Sequence, residues 1–170
     1  MKDQYPEIYA KIKEAVKSGN WEVQGGMWVE ADCNLISGES MVRQLLHGKN
    51  FFKDEFDIVV DNLWLPDVFG YSAALPQILK RAGVNYFLTQ KLSWSQFNDF
   101  PHQTFNWRGI DGTEILTHFP PENTYNSELD TEFLLPAQKG FKEKDRLNEF
   151  ISLFGVGAVS YTHLRAHETL

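Results

Sequence analysis

The feature that most constrains the fold is an apolar run that leads into a helical pattern and then into a second apolar run. Residues 58–65 are rich in branched apolar side chains and predict a buried strand. In residues 73–82, apolar side chains at helical spacing predict a helix that ends at Gly83. Residues 84–89 predict a second strand. This order indicates a βαβ unit of a parallel α/β protein, with a right-handed crossover.

A single carboxylate, Asp67, follows the first predicted strand where the chain passes into a loop. The carboxyl ends of parallel strands carry binding and catalytic groups, and the second strand delivers Lys91 to the same edge. Trp64, Phe69 and Tyr71 place three aromatic rings within four positions of Asp67. Aromatic faces suit sugar rings, and a lone acid beside them suits a nucleophile or a metal ligand. The alternative is an ordinary turn or capping acid.

The rest of the chain alternates between helical and extended patterns, without an internal repeat. The hairpin around Asp111 and Gly112 is interpreted as an insertion between elements of the sheet. In the second predicted helix, Val42, Leu45 and Leu46 are expected to face inward. Helices are predicted for residues 5–18, 40–52 and 142–154, an extended segment for 21–29, hairpin strands for 104–107 and 114–119, and a polar loop for 122–130.

Charge and cysteine content narrow the classes of function. The net charge of −7 argues against nucleic-acid binding through a basic surface. No apolar run approaches the length of a membrane span, and the first residues lack the apolar core of a signal peptide. The single cysteine, Cys33, fits a reducing compartment and is expected to be a buried structural residue. These features predict a cytoplasmic protein that binds neither nucleic acid nor membranes.

Several polar residues carry two interpretations. Glu30 and Asp32 are either acceptors for sugar hydroxyls or ordinary loop acids. His118 is either a metal ligand or a hydrogen-bonded histidine at the end of a strand. Glu122 is either a surrogate catalytic acid or a plain loop residue. Cys33 could also be a catalytic thiol, although thiols of this kind need an environment that stabilises the thiolate.

Five short motifs occur in the order and spacing of a known enzyme family. Each motif alone is weak, but together they extend over roughly residues 5–157. On these motifs the chain resembles the retaining α-mannosidases of glycoside hydrolase family 38, of the cytosolic or bacterial type. The motifs are GGMWVE at 25–30, SGES at 37–40, WLPDVFGYS at 64–72, FLTQKLSW at 87–94 and THFPP at 117–121.

The resemblance implies a seven-stranded β/α barrel, of which this chain would supply three or four strands. Residues 1–157 are expected to be a fragment of the catalytic barrel. Residues 158–170 have no counterpart in the family, and most of them resemble translated sequencing-adapter read-through. We therefore expect residues 158–170 to be a non-native tail.

The resemblance also implies a chemistry. A retaining glycosidase needs two carboxyl groups about 5 Å apart. Asp67 would be the nucleophile and also a ligand of Zn²⁺, or of another divalent metal, in a parent enzyme that hydrolyses terminal α-mannosides of oligosaccharides. The family's His-x-His-x-Asp ligands have no match here, and Ala158 stands where the family has its acid–base aspartate. We therefore expect no acid–base residue in this chain, an incomplete metal site and no activity of the chain alone.

Four further residues are candidates for substrate binding by the same resemblance. Phe69 would flank the sugar, and Lys91 occupies a position where the family often has a basic residue. Tyr125 and Asn126 match a Tyr-Asp pair of some members, with Asn126 in place of the aspartate. The Asn126 amide can still form hydrogen bonds to a hydroxyl but carries no charge. The parent enzyme could also be a homo-oligomer, which the sequence does not decide.

Two other classes of function compete with this interpretation. The chain could be a non-catalytic remnant that binds a carbohydrate or a protein partner through the aromatic surface near Asp67. It could also belong to a different barrel hydrolase or deacetylase that uses Asp67 as a metal ligand. The absence of His-x-x-x-His and Asp-Asp pairs from residues 1–157 argues against the latter.

Overall fold

The computed structural model describes residues 1–155 and shows a mixed α/β arrangement. The predictions about Ala158 and about residues 158–170 lie outside the described residues. The helix predicted for residues 5–18 is confirmed. No helix within residues 1–155 is both long and apolar enough to cross a bilayer. The elements are α1 (Pro6–Lys17), α2 (Gly38–Phe56), β1 (Asn62–Leu65), α3 (Leu75–Arg81), β2 (Tyr86–Thr89), a 3₁₀ helix (Lys91–Trp94), β3 (Thr104–Arg108), β4 (Glu114–His118) and α4 (Thr131–Gly140).

The four strands form one sheet in the order β1-β2-β4-β3. Strands β1 and β2 are parallel, with Leu65 opposite Thr89, so the predicted parallel βαβ pairing is confirmed. Strand β4 lies parallel to β2 and antiparallel to β3. The predicted hairpin is therefore present, but it is not an insertion, because β4 belongs to the parallel sheet. The described residues show a four-stranded sheet, and closure into a seven-stranded barrel stays a prediction.

One face of the sheet packs against α2 and α3 and is called here the helix-covered face. Fully burying a leucine or isoleucine side chain stabilises a protein by about 1.5–3 kcal/mol, so this layer makes a large contribution to the free energy of folding. The layer is built by buried side chains from three strands and two helices: Leu63, Leu65, Phe87, Ile115, Met41, Leu45, Leu75 and Leu79.

The opposite face of the sheet is also apolar, as is usual for parallel strands, but it is less well covered. An open cavity of about 750 Å³ lies over it, bounded by strand residues such as Leu88, Leu116 and His118 and by the segment around residues 147–153. Tyr86 and Leu116 on this side are 50% and 42% exposed. We call this side the open face.

The inward-facing residues predicted for helix α2 are confirmed only at Leu45, which is 1% exposed. The helix also buries Met41 and Gly48, whereas Val42 and Leu46 are 46% and 53% exposed. The reason lies at Gly48, where an added Cβ would come within 2.4 Å of the Gly26 carbonyl oxygen. This close approach turns the Gly48 side of α2 toward the preceding loop, so Val42 and Leu46 point away from the core.

Residues 21–29, predicted to be extended, form no strand but run beside β1. The Trp64 N–H donates to the Gly25 carbonyl at 3.4 Å, and the Gly25 N–H donates to Asn62 Oδ1 at 3.2 Å. Gly25 and Gly26 have φ angles of +103° and +75°. Glycine adopts positive φ angles readily, and this conformation interrupts regular pairing with β1. The segment therefore covers the edge of β1 without forming a further strand of the sheet.

The helix predicted for residues 142–154 is wrong. Residues 142–155 form turns and irregular backbone, and their main-chain groups contact distant parts of the chain. The Ile151 N–H donates to His118 Nε2 at 3.2 Å, and the Leu153 carbonyl accepts from the Ser127 N–H at 2.8 Å. The apolar side chains at helical spacing in this segment cover the open face of the sheet instead of forming one side of a helix.

Helix α4 lies just before that segment and has no counterpart in the sequence-based prediction. Pro136 lies inside it, and an internal proline removes a backbone donor and normally argues against a helix. The helix start is nevertheless well defined, because the Asp130 carboxylate accepts the Phe133 N–H at 3.0 Å. A favourable N-cap thus accompanies a short helix that tolerates an internal proline.

Candidate active site

Asp67 lies just after β1, at the carboxyl edge of the parallel sheet. Because Leu65 of β1 pairs with Thr89 of β2, the residues that follow the two strands leave the sheet side by side. Lys91 Nζ lies 2.8 Å from Asp67 Oδ1, and the Tyr125 hydroxyl donates to the same oxygen at 3.1 Å. The structure therefore brings two predicted site residues, Lys91 and Tyr125, to the carboxylate of a third, Asp67, whose side chain is 25% exposed.

The Lys91 ammonium is buried among aromatic rings, with a side chain that is 4% exposed. Its Nζ lies 3.5 Å from the ring centroid of Trp94, 5.1 Å from that of Phe69 and 5.2 Å from that of Tyr125. Burial acts to lower the pKa of Lys91, but hydrogen bonds with Asp67 and Tyr125 outweigh it and raise the pKa. Lys91 is therefore a permanent cation, stabilised by the ring faces around it.

Both contacts of the Asp67 carboxylate fall on Oδ1. Within residues 1–155, Asp67 Oδ2 has no hydrogen-bond or ion-pair partner. Burial, and then the hydrogen bond with Asp67, raises the pKa of Tyr125, so its hydroxyl keeps its proton and acts as a donor. A carboxylate that is held at one oxygen and uncommitted at the other can attack an electrophile, accept a hydrogen bond or bind a metal.

The two loop acids before α2 take different positions. Glu30 lies beside the cluster, where its Oε1 accepts the backbone N–H of Asp67 at 2.6 Å. Loss of hydration raises the pKa of Glu30, and repulsion from Asp67 adds to this effect. Asp32 accepts the N–H groups of Asn34 and Leu35 at 2.9 and 2.7 Å, which makes it an ordinary turn acid.

The three aromatic residues expected around Asp67 separate in the structure. Trp64 lines the cavity on the open face of the sheet. Tyr71 packs against the core of the helix-covered face, and its hydroxyl donates to the Leu65 carbonyl at 3.0 Å. Phe69 alone stays beside the charged groups. Side chains alternate across a strand and a loop can reverse direction, so proximity in sequence did not mean proximity in space.

Comparisons with known proteins show the family of this chain. A family model described as the glycosyl hydrolases family 38 N-terminal domain matches residues 1–169. The chain belongs to glycoside hydrolase family 38. Alpha-mannosidase G of Dictyostelium discoideum is 51% identical over 156 residues, which are 92% of this chain and 14% of that protein. Human alpha-mannosidase 2C1 is 48% identical over 157 residues, which are 92% of this chain and 15% of that protein.

Solved structures resemble the family 38 chain in fold. An alpha-mannosidase from Enterococcus faecalis V583 has a TM-score of 0.69 at 20% identity, over 91% of this chain and 18% of that one. A 4-alpha-glucanotransferase from Thermococcus litoralis has a TM-score of 0.62 at 13% identity, over 90% of this chain and 24% of that one. At these identities the likeness shows the fold alone. The chain spans about 15% of the length of the curated relatives it matches.

Two candidates of the family 38 chain, Asn126 and Glu122, form no hydrogen bond to Asp67 within residues 1–155. Asn126 is exposed, and its backbone N–H donates to Thr124 Oγ1 at 3.1 Å in a local turn. Among the hydrogen bonds of residues 1–155, none joins Asn126 to Asp67. Both carboxylate oxygens of Glu122 are buried and have no partner within the same range. A substrate-binding role for Asn126 and an acid role for Glu122 remain predictions.

Two other candidates of the family 38 chain have structural contacts. His118 Nδ1 lies 2.8 Å from Thr104 Oγ1, and Nε2 accepts the Ile151 N–H at 3.2 Å. Both ring nitrogens are therefore in use, as expected of a hydrogen-bonded histidine at a strand end. Cys33 is 3% exposed, and burial raises the pKa of its thiol to about 12. Such a thiol stays protonated and is a poor nucleophile.

A complete metal site is not formed by the described part of the family 38 chain. Residues 1–155 contain no group of three His, Cys, Asp or Glu side chains that could hold one ion. Asp67 Oδ1 is already paired with Lys91, which leaves Oδ2 as one donor. A zinc site takes about four ligands. The side chains of this region therefore do not fit a zinc ion by themselves.

Proposed function

We propose that this chain is part of the catalytic domain of a retaining α-mannosidase that hydrolyses terminal α-mannosides of oligosaccharides. Membership of family 38 supports the class of enzyme. The observation that carries the proposal is the Asp67 carboxylate, whose Oδ1 is held by Lys91 and Tyr125 while Oδ2 is uncommitted within the described residues. A retaining glycosidase needs such an oriented carboxylate as its nucleophile.

In the proposed reaction, Asp67 Oδ2 attacks the anomeric carbon and forms a bond to it while the bond to the leaving oxygen breaks. The leaving oxygen takes a proton from a second carboxylic acid, and water later cleaves the bond to Asp67 and returns a proton to that acid. The Lys91 ammonium and the Tyr125 hydroxyl both contact Asp67 Oδ1 and so fix the orientation of the carboxylate. The second acid is not assigned to any residue of this chain.

We also propose that the parent enzyme uses Zn²⁺ or another divalent ion, with Asp67 as one ligand. Such an ion would polarise substrate hydroxyls as a Lewis acid. Since the described residues do not fit a zinc ion by themselves, the other ligands would have to come from outside them. A cytoplasmic location likewise stays a prediction from the composition of the chain.

We expect the chain alone to be inactive, because one carboxylate nucleophile without an acid partner cannot complete the double displacement. The test is release of a chromophore from an aryl α-mannoside with zinc supplied, for the natural chain and for Asp67→Asn. Turnover that disappears in Asp67→Asn would contradict inactivity and would support Asp67 as the nucleophile. No turnover by either protein is the expected result.

Binding tests the site independently of turnover. We expect methyl α-mannoside to bind the chain saturably and Asp67→Asn to weaken this binding by about tenfold, because a charge-assisted hydrogen bond contributes about 1.5 kcal/mol. Isothermal titration calorimetry measures both. Equal binding by the two proteins would remove Asp67 from the sugar site and would overturn the proposed function.

A second candidate function is a non-catalytic module that binds carbohydrate. The observation that favours it is the pair of exposed rings beside Asp67, Phe69 and Trp94, which are 66% and 64% exposed. Such a module would bind mannosides equally well with a chelator and with zinc. Binding that strengthens on addition of zinc would favour the enzyme fragment instead.

A further inference from the structure

Phe69 and Trp94 form an exposed aromatic corner beside the Asp67–Lys91 pair. Their ring centroids are 5.9 Å apart, and their planes make an angle of 76°, so the rings stand nearly perpendicular. Both rings are about two-thirds exposed. Large aromatic side chains in contact with water next to a charged site are a common sign of a binding surface, because they gain free energy when a ligand covers them.

The Lys91 ammonium lies in the angle between the two rings. Its Nζ is 3.5 Å from the Trp94 centroid and 5.1 Å from the Phe69 centroid. An indole has two faces, and the ammonium covers one of them. The 64% exposure of Trp94 therefore comes mainly from its other face and its edge. That free face is accessible from solvent.

The chemistry of the free Trp94 face favours a sugar ring as its ligand. A pyranose has flat patches of C–H groups that match an aromatic face, while its hydroxyls stay hydrated. The Lys91 ammonium contacts both Asp67 Oδ1, at 2.8 Å, and the Trp94 ring, at 3.5 Å from its centroid, so the carboxylate and the indole are close neighbours. Two adjacent units of one oligosaccharide can therefore reach the carboxylate and the free indole face together.

We propose that Trp94 forms a second sugar-binding position, which holds the saccharide unit next to the one bound at Asp67. This inference rests on the proposed function, since it assumes that a mannoside binds at Asp67. The ligand class is an α-linked manno-oligosaccharide of two or more units. Trp94 thereby selects oligosaccharides over monosaccharides, whereas Phe69 borders the first position.

The experiment compares two ligands, methyl α-mannoside and an α-linked mannobiose, by calorimetric titration of the purified chain in the presence of a chelator. The natural chain should bind mannobiose more tightly. Trp94→Ala should weaken mannobiose binding by about fivefold to tenfold, in line with the stacking contribution of an aromatic ring, and should weaken methyl α-mannoside binding clearly less. Trp94→Phe keeps an aromatic face and should restore most of the affinity.

Trp21→Ala is the matched control. Trp21 is 53% exposed, and its N–H donates to the Ala15 carbonyl at the end of α1, so it is no part of the Asp67 cluster and its loss should change neither affinity. Equal weakening of both ligands by Trp94→Ala would show that Trp94 only supports Lys91 and would overturn the inference while the proposed function stands. Unchanged mannobiose affinity in Trp94→Ala would also overturn the inference and leave the proposed function standing. If neither sugar binds the natural chain, both proposals fail.

Discussion

The two faces of the sheet differ in how they are covered, although the same strands supply both. Ile115 and Leu116 are neighbours in β4, yet Ile115 is 0% exposed on the helix-covered face and Leu116 is 42% exposed on the open face. The helix-covered face is closed by α2 and α3, which lie close to the strands in sequence. The open face is covered by residues 147–153, in which Ile151 and Leu153 form backbone hydrogen bonds to His118 and Ser127. Burial, more than residue type, therefore decides how much each apolar side chain contributes to the stability of the fold.

The largest effect should come from truncating side chains on the two faces. We expect Ile115→Ala to lower the free energy of unfolding by about 2–5 kcal/mol, because it removes buried methylene groups and leaves a cavity. Leu116→Ala should cost less than about 1 kcal/mol, since that side chain is still partly hydrated. Urea unfolding followed by tryptophan fluorescence, at a concentration that keeps the chain monomeric, measures both.

The pair Ile115 and Leu116 controls for strand position, since both residues lie in β4 and both lose three side-chain carbons. Equal losses of stability would mean that the open face is as well packed as the other. A loss at Leu116 larger than that at Ile115 would reverse the comparison and would place the main core on the side of the cavity.

A smaller effect should come from releasing the cover of the open face. The Glu143 carboxylate accepts the N–H groups of Gln103 and Thr104 at 3.1 and 3.0 Å and so ties residues 142–155 to β3. We expect Glu143→Ala to cost about 1–3 kcal/mol, because it leaves two backbone donors without their partner. Limited proteolysis should also cut this segment faster.

The matched control for Glu143 is an exposed acid of the neighbouring loop, Glu128. Glu128→Ala should change the stability by less than about 0.5 kcal/mol. Unchanged proteolysis of Glu143→Ala would show that apolar contacts alone hold the segment on the sheet. In that case Leu147 and Phe150, which line the cavity, would be the residues to truncate.

The helix-covered face was the more predictable half of the fold. The strands at residues 58–65 and 84–89 and the helix between them were predicted from local patterns, because the partners of each element lie close in sequence. The same topology places Lys91 next to Asp67, since parallel neighbours end at one edge. Tyr125 was found only through the resemblance to family 38. Its hydrogen bond to Asp67 spans 58 positions of the chain and leaves no local signal.

The open face and its cover were predicted poorly, for a physical reason. Residues 142–154 carry apolar side chains at helical spacing, but the sheet surface and not a helix axis decides where those side chains pack. Trp94 was missed as part of the site because an exposed aromatic after a strand has no pattern of its own. Its position became meaningful only when the Lys91 ammonium was found against its ring.

The smallest expected effect is a pH dependence of the stability that arises at His118, on the open face of the sheet. Burial lowers the pKa of His118, and the Ile151 N–H can donate to Nε2 only while that nitrogen is unprotonated. Below the ordinary histidine pKa of about 6.5, the unfolded chain takes up a proton that the folded chain does not, so stability falls as the pH falls. Between pH 7.5 and 5.5 we expect a loss of about 1 kcal/mol from this residue, measured by urea unfolding at both pH values.

The comparison protein for the pH effect is His118→Gln. A glutamine can still accept from Ile151 and donate to Thr104, but it does not titrate, so its stability should depend less on pH by the same amount. The exposed His47 and His102 are present in both proteins, and their contributions cancel in the difference. An identical pH dependence of the two proteins would mean that His118 protonates without loss, and hence that the cover over the open face opens freely in the folded chain.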